Sequence, residues 1–521
     1  MSHKSTWVRR TLASLAGLTL AGALVLNVSA GTGAAERYLV VFNGTYAVDG
    51  SYALGGNYAV NHEYALGLVE AAGGTVTSDL SKQIGVMVVE SADAAFYAVM
   101  SSYALVDEVG RDYSWQGIRG YAVDGGYALD EGSGGMPEPV DDPAEVLQWD
   151  MAMIHADEAH AIQGGRPEVQ VGVLDSGIDG QHVDFQKDGV FNVDCARGRD
   201  SLAALPPGVA VGNPDPCIDN QFHGTHVAGT IAARANGLGV TGVAPNITLV
   251  PVKVCDTTGF CYASAVVDGI TYAGDEKFEV INMSFFVDDE AFQASTEFKC
   301  NSDPTQRAFR RSVERALQYA RSRGVVAVAA LGNSDQDLSH AETQSDDPTG
   351  VVGGTGGVFD PGGEPIENEC EVVPAESSGV IGTMALGRNS QKASYSNYGT
   401  GAVDVAAPGG AGTTGDCTTT ILSTLPSDAY GCIQGTSMAS PHAAGVAALI
   451  VSQFGYRGSD GDWKMEVTKV ESILQSTTID IGLSGYDECF GNGRIDALRA
   501  VTKLTSSAYD ASAPFCSEYA E

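Results

Sequence analysis

The sequence predicts an α/β fold, a doubly wound and mainly parallel sheet with helices on both faces, preceded by a small α+β unit. Three observations lead there. Valine-rich runs at residues 171–174 and 325–330 are apolar throughout, as strands covered on both faces are, and each runs into a glycine-bearing turn with a polar side chain, Asp175-Ser176-Gly177 and Leu331-Gly332-Asn333. Two further polar motifs, at His223 and Ser437, open stretches of small apolar residues that read as buried helices. Finally, 521 residues that are 44% hydrophobic and include 65 glycines suit a large, tightly packed core with long loops.

Taken in order, the chain begins with Lys4, Arg9 and Arg10, an apolar run at residues 12–28, and Val28-Ser29-Ala30. That is the layout of a secretory signal peptide cut after Ala30, so residues 1–30 are expected to be removed and the rest exported without a membrane anchor. The Arg9-Arg10 pair raises a twin-arginine route, but the residues after the pair fit the general pathway better.

Residues 31–116 carry no cysteine and read as the small α+β unit. Strands are expected at residues 38–42, 85–89 and 105–109, and helices at 66–72, closed by Gly73-Gly74, and at 92–101. A repeat, Tyr-Ala-Val-x-x-x-Tyr-Ala-Leu, starts at Tyr46, Tyr58, Tyr97 and Tyr121. The first two copies are expected in a glycine-rich loop, the third on a helix and the fourth in a linker, so it is not one structural unit. Residues 117–146, rich in glycine, proline and acids, read as an exposed linker where maturation cleavage falls.

The centre of the chemistry is Gly435-Thr436-Ser437-Met438-Ala439-Ser440-Pro441-His442. A hydroxyl at the start of a buried helix sits where unpaired N–H groups and the positive helix end can hold an oxyanion. As an N-cap, Ser437 would need no partners. Here a base and an orienting acid stand upstream: His223 in His223-Gly224-Thr225-His226 and Asp175 at the tip of its strand. The order Asp, His, Ser is that of subtilisin. On these three motifs the chain resembles the subtilisin-like serine proteases (subtilases, family S8) over residues 145–504, and residues 147–504 are expected to form the protease domain, followed by a tail at 505–521.

The resemblance implies the rest. His223 would take the proton of Ser437, Asp175 would fix the imidazole, and the Asn333 amide with the Ser437 N–H would hold the oxyanion. Ser284, Phe285 and Phe286 match the strand that pairs with the substrate backbone; Phe286, where the family often has glycine, should narrow the first specificity pocket. The loop from Arg234 to Val240 resembles one that wraps a structural calcium, with Asn236 and the carbonyls of Arg234, Leu238 and Val240 as ligands, joined by Asp184 and by Asp142 or a neighbour. Oxygen ligands suit calcium. Residues 31–116 resemble the I9-type propeptide that assists folding and covers the active site.

With 65 acidic and 29 basic side chains the net charge is −36, which argues against nucleic acid as a partner. All ten cysteines lie at or after Cys195. In an exported chain this predicts disulfides, and sequential neighbours are the expected pairs: Cys195 with Cys217, Cys255 with Cys261, Cys300 with Cys370, Cys417 with Cys432 and Cys489 with Cys516. The expected protein is a monomeric, exported endopeptidase acting on proteins or peptides. Two rivals are a binding protein that kept the fold, which would have lost a triad residue, and a metallohydrolase on His223 and His226, whose spacing of three does not match the four of a helical zinc pair.

Overall fold

The structure is a computed structural model. It describes residues 35–46, 52–54, 58–118, 142, 144–203, 205, 212–286, 304–339, 371–459, 461–510 and 512–513. The expected signal peptide, most of the linker, the fourth repeat copy, Cys300, Cys370 and Cys516 lie outside these residues.

The N-terminal unit contains β1 (Glu36–Phe42), β2 (Thr75–Leu80), β3 (Val86–Ser91) and β4 (Val106–Arg111) as an antiparallel sheet in the order β2-β3-β1-β4. Helices α1 (Tyr58–Ala71) and α2 (Phe96–Ser101) cover one face. Alternation along the strands sorts the core. Tyr38, Val40, Phe42, Met87 and Val89 pack with Val69, Phe96 and Met100 under the helices. Leu39, Val41, Val86 and Val88 point the other way, into the core of the larger domain. A short strand, β5 (Ser114–Gln116), leads out of the unit. Two expectations are corrected here. Helix α1 starts at Tyr58, eight residues earlier than the glycine-punctuated sequence suggests, so the second repeat copy is helical, whereas the first lies on a hairpin of Gly44–Tyr46 and Tyr52–Leu54. Strand β2 was not expected, because Thr75–Leu80 alternates polar residues with few apolar ones.

The larger domain is built on seven parallel strands: β6 (Gln170–Asp175), β7 (Arg199–Asp200), β8 (Thr248–Lys253), β10 (Val280–Met283), β11 (Val326–Ala330), β12 (Val380–Leu386) and β13 (Val405–Pro408), in the order β7-β8-β6-β10-β11-β12-β13. A short strand, β9 (Phe260–Tyr262), stands apart from this sheet. The predicted doubly wound sheet is thus present. Helices α3 (His223–Ala232) and α6 (Thr436–Phe454) lie on one face with Val171, Val173, Val280, Val326 and Val328. Helices α4 (Ala263–Glu276) and α5 (Pro304–Ser322) lie on the other with Leu174, Ile281, Met283, Ala327 and Ala329. The strand order reverses between β6 and β10, and in such sheets the crevice outside the strand C-termini at that point is where ligands bind. Asp175 ends β6 there, and Ser284 comes directly after β10.

Of the expected disulfides, Cys195–Cys217, Cys255–Cys261 and Cys417–Cys432 form. Cys489 is also disulfide-bonded, to a residue outside the described ones.

Candidate active site

The three sequence motifs meet at the strand reversal. Asp175 is wholly buried, and its two carboxylate oxygens stand 2.9 and 3.0 Å from His223 Nδ1. A carboxylate accepts, so Nδ1 is the donor of this pair and Nε2 is the ring nitrogen that Asp175 does not engage. The Ser176 N–H also donates to Asp175 Oδ1 (2.8 Å). His223 opens α3, and the residue before it, Phe222, has φ 109°. Left-handed backbone at a bulky residue is strained, and such strain persists only where neighbours hold it.

Asp219 is the holder, and sequence reading passed it over. Its Oδ1 accepts from the N–H groups of Gln221 and Phe222 (both 2.9 Å) and from Ser176 Oγ (3.0 Å). Its Oδ2 accepts from the Thr225 N–H (3.0 Å) and Thr225 Oγ1 (2.7 Å). One buried carboxylate therefore ties the start of α3 to the residue after Asp175. Lys253, also buried, donates from Nζ to the carbonyls of Asn213, Asp215 and Ile218 (2.8, 3.0 and 2.7 Å) and shapes the loop that carries Asp219. An aspartate four residues before a helix-opening histidine was a readable capping signal; a lysine on three carbonyls leaves no trace in sequence.

Ser437 lies in the first turn of α6 and is 7% exposed. Its Oγ donates to the Ser284 carbonyl (3.0 Å). Asn333, three residues past β11, accepts at Oδ1 from the Thr436 N–H and Oγ1 (both 2.9 Å), which fixes the amide and leaves Nδ2 as the outward donor. Gly435, with φ 154° and ψ 162°, leaves space in which a Cβ would sit 3.6 Å from Asn333 Nδ2, 3.6 Å from the Ser437 nitrogen and 3.8 Å from Asn333 Oδ1. The Asn333 amide and the Ser437 nitrogen, from separate elements, thus both border the space that Gly435 leaves beside the serine.

Phe285 and Phe286 are buried beside the crevice. The Phe286 ring lies 3.4 Å from where a Cβ on Gly332 would be, so it fills space next to the end of β11. His226 is a core residue. Its Nε2 faces the carbonyls of Ile421 and Gly431 (both 3.1 Å), and burial, followed by the neighbouring His223, pushes its pKa down to about 3. That environment speaks against the metal-pair rival.

The calcium-loop residues also come together. Asp184 is buried; Oδ2 accepts from the Val240 N–H (2.9 Å), while Oδ1 has no hydrogen-bond partner. Burial pushes this carboxyl up to about 7. Among the described residues, the carbonyls of Arg234, Leu238 and Val240 accept no hydrogen bond. Asn236 Oδ1 accepts from the Leu238 N–H (2.8 Å), and its Nδ2 donates to the carbonyls of Val183 and Gln186 (3.1 and 2.8 Å). Asp142 braces the loop: Oδ1 accepts from the N–H groups of Asn236 and Gly237 (3.2 and 2.5 Å) and Oδ2 from Thr241 Oγ1. No cluster of three His, Cys, Asp or Glu suited to a metal occurs among the described residues.

The N-terminal unit reaches the same crevice. After β4, Asp112 caps α4, accepting from the Ser264 N–H (2.8 Å) and Oγ (2.6 Å), with Arg37 beside it (3.3 Å). Strand β5 then pairs antiparallel with β9, and the Ile118 N–H donates to the Gly259 carbonyl (3.0 Å). Trp115 is buried edge-on to Phe285 and donates from Nε1 to the Phe286 carbonyl (3.0 Å).

The Subtilase family model (Peptidase S8) matches residues 166–493. Subtilisin DY of Bacillus licheniformis is 31% identical over 353 residues, 68% of this chain and 98% of its own length. Subtilisin E of Bacillus subtilis (strain 168) is 33% identical over 358 residues, 68% of this chain and 72% of its own length. Among solved structures, an epidermin leader peptide processing serine protease from Staphylococcus aureus superposes with a TM-score of 0.63 at 19% identity, covering 91% of this chain and 100% of that one. A lanthipeptide protease gives 0.52 at 23% identity, covering 69% and 95%. At such identities the solved structures speak for the fold. The family match covers the whole parallel sheet together with Asp175, His223, Asn333 and Ser437, and on that match the chain belongs to the subtilase family and is a serine-type endopeptidase.

Proposed function

We propose that the protein is made as an exported precursor and hydrolyses peptide bonds through an acyl-enzyme on Ser437. Ser437 Oγ attacks the scissile carbonyl carbon and passes its proton to His223 Nε2. The oxyanion accepts from Asn333 Nδ2 and the Ser437 N–H. When the C–N bond breaks, His223 returns the proton to the leaving amine, and water then releases the acyl group by the same steps. Asp175 stays ionised and stabilises the imidazolium. The observation that carries this reading is the Asp175 carboxylate on His223 Nδ1, which holds the ring by that nitrogen and leaves Nε2 free of the carboxylate. A fluorophosphonate probe with peptide mapping tests it. Attachment at Ser437, abolished by His223→Ala, is the expected result; a protein that cleaves substrate but is labelled elsewhere would refute it.

We also propose that residues 31–116 inhibit the protease domain until the chain is cut within 117–146. What supports this is the placement of β5 along β9 at the crevice and the apolar face of β1 and β3 buried on α4 and α5. Removing the Asp112 carboxylate leaves the Ser264 N–H and hydroxyl at the start of α4 without their charged acceptor, and a hydrogen bond to a charged group is worth about 1.5–3 kcal/mol. The Asp112→Ala precursor should therefore show about ten- to a hundredfold more activity before cutting, measured on a fluorogenic peptide in a form whose linker cleavage is blocked. Unchanged activity would remove Asp112 from the inhibitory contact.

Residues around Asp184 fit a structural calcium. Asp184 Oδ1, the carbonyls of Arg234, Leu238 and Val240, and Asn236 Oδ1 after release from its turn would hold it, with Asp142 bracing the loop. The ion would supply charge balance for the buried carboxylate. Binding to the native state alone stabilises by about 2.7 kcal/mol at a hundred times the Kd. Excess chelator should lower the Tm and speed self-digestion, and Asp184→Asn should abolish the chelator effect. An unshifted melting curve would refute calcium here. Export rests on residues 1–30; no described helix is long and apolar enough to cross a membrane.

A further inference from the structure

Beneath the nucleophile lies a small buried polar cluster whose wiring follows from one proline. Helix α6 contains Pro441. Proline has no N–H, and its ring crowds the carbonyl four residues earlier, so the Ser437 carbonyl lacks the donor an ordinary helix would supply. Ser284 Oγ stands 2.8 Å from that carbonyl oxygen. It also lies 2.8 Å from Asn282 Nδ2 and 2.9 Å from Ser440 Oγ. Asn282, Ser284 and Ser440 are all fully buried.

A serine hydroxyl has one hydrogen and two lone pairs. Asn282 turns its donor Nδ2 toward this hydroxyl, and if Ser440 donates too, both lone pairs are used and the single hydrogen goes to the Ser437 carbonyl. Any other assignment leaves that carbonyl without this donor in a site closed to water, which is unfavourable. The nucleophile's own Oγ meanwhile bonds to the Ser284 carbonyl. The peptide of Ser437 is therefore clamped to the residue after β10 from both sides.

We infer that the Ser284 side chain is a positioning residue: its hydroxyl replaces the hydrogen bond that Pro441 withholds and so sets the orientation of the Ser437 backbone. This rests on the reading of Ser437 as nucleophile and goes beyond it, because it assigns to the Ser284 side chain a task separate from pairing with substrate. The clamp controls two things at once, where Oγ points and where the Ser437 N–H lies relative to Asn333 Nδ2. Misplacement by about 1 Å costs on the order of a hundredfold in rate.

The test uses the mature enzyme and the fact that the missing donor can be restored on the other partner. Ser284→Ala is expected to lower kcat about ten- to a hundredfold with KM changed less than twofold, and to slow fluorophosphonate labelling of Ser437 in parallel. Adding Pro441→Ala gives position 441 an N–H that can reach the Ser437 carbonyl, so the double variant should recover most of the lost kcat. Pro441→Ala alone should lower kcat less than Ser284→Ala does. Ser284→Cys, which keeps a hydrogen-bearing group at this position but donates weakly, should fall between Ser284→Ala and the parent, and it serves if the alanine variant does not fold. Parent-like kcat and labelling rate in Ser284→Ala, or a double variant no better than it, would overturn the inference. If the parent itself is not labelled at Ser437, the nucleophile reading fails instead.

Discussion

Ser437→Ala is expected to abolish turnover, with a loss on the order of a millionfold in kcat, and to leave the precursor uncut. The size follows from the group removed. A serine, its base and the acid behind the base act as one unit, and in subtilisin loss of the nucleophile alone costs about 2 × 10⁶ in kcat, nearly as much as loss of all three groups. Residual rate would come from the two oxyanion donors, which the substitution leaves in place. The change deletes one hydroxyl in a turn whose backbone is held by Asn333, Ser284 and Gly435 neighbours, so folding should persist. The measurement is expression of both forms in a protease-free host, with N-terminal sequencing and intact mass. An alanine variant that emerges cut at the same bond in residues 117–146 would refute self-processing and require an outside protease. One that stays whole, and is cut by added parent enzyme, would support it.

Asn333→Ala should lower kcat about a hundred- to a thousandfold while KM changes little. The amide donates to charge that exists only after attack, so its loss raises the barrier without weakening substrate binding. That range is the known cost of losing the corresponding donor in subtilisin, about 2.7–4 kcal/mol. The structure adds a second consequence. Asn333 Oδ1 accepts from both the N–H and the Oγ1 of Thr436, so alanine also frees the residue next to the nucleophile. Asn333→Asp keeps an acceptor for Thr436 but replaces the donor with a negative charge beside the oxyanion, so it should lose at least as much kcat as Asn333→Ala. If Asn333→Asp retains parent activity, Asn333 only holds the helix start, and the oxyanion assignment is wrong.

The parallel sheet, the ends of β6 and β11, the helix openings at His223 and Ser437, and three local disulfides were all legible in the sequence. The reason is that these features leave short-range marks: uniform apolar runs, glycines at tight turns, small residues along a buried helix and cysteines close in sequence. Helix α1 was misread because glycine-rich surroundings and a repeated motif hid its start, and packing of Ala65 and Val69 on the small sheet overrides that local signal. What the tertiary structure alone decided is how the site is held. Asp219 meets Ser176 across 43 residues, Lys253 meets the loop carbonyls across about 35–40, Asp112 meets Ser264 across 152, and Ser284 meets the Ser437 carbonyl across 153. The chain by itself determined which groups could do the chemistry. Their orientation came from buried polar groups that must find partners once water is excluded, and no local pattern of residues says which distant partner each one finds.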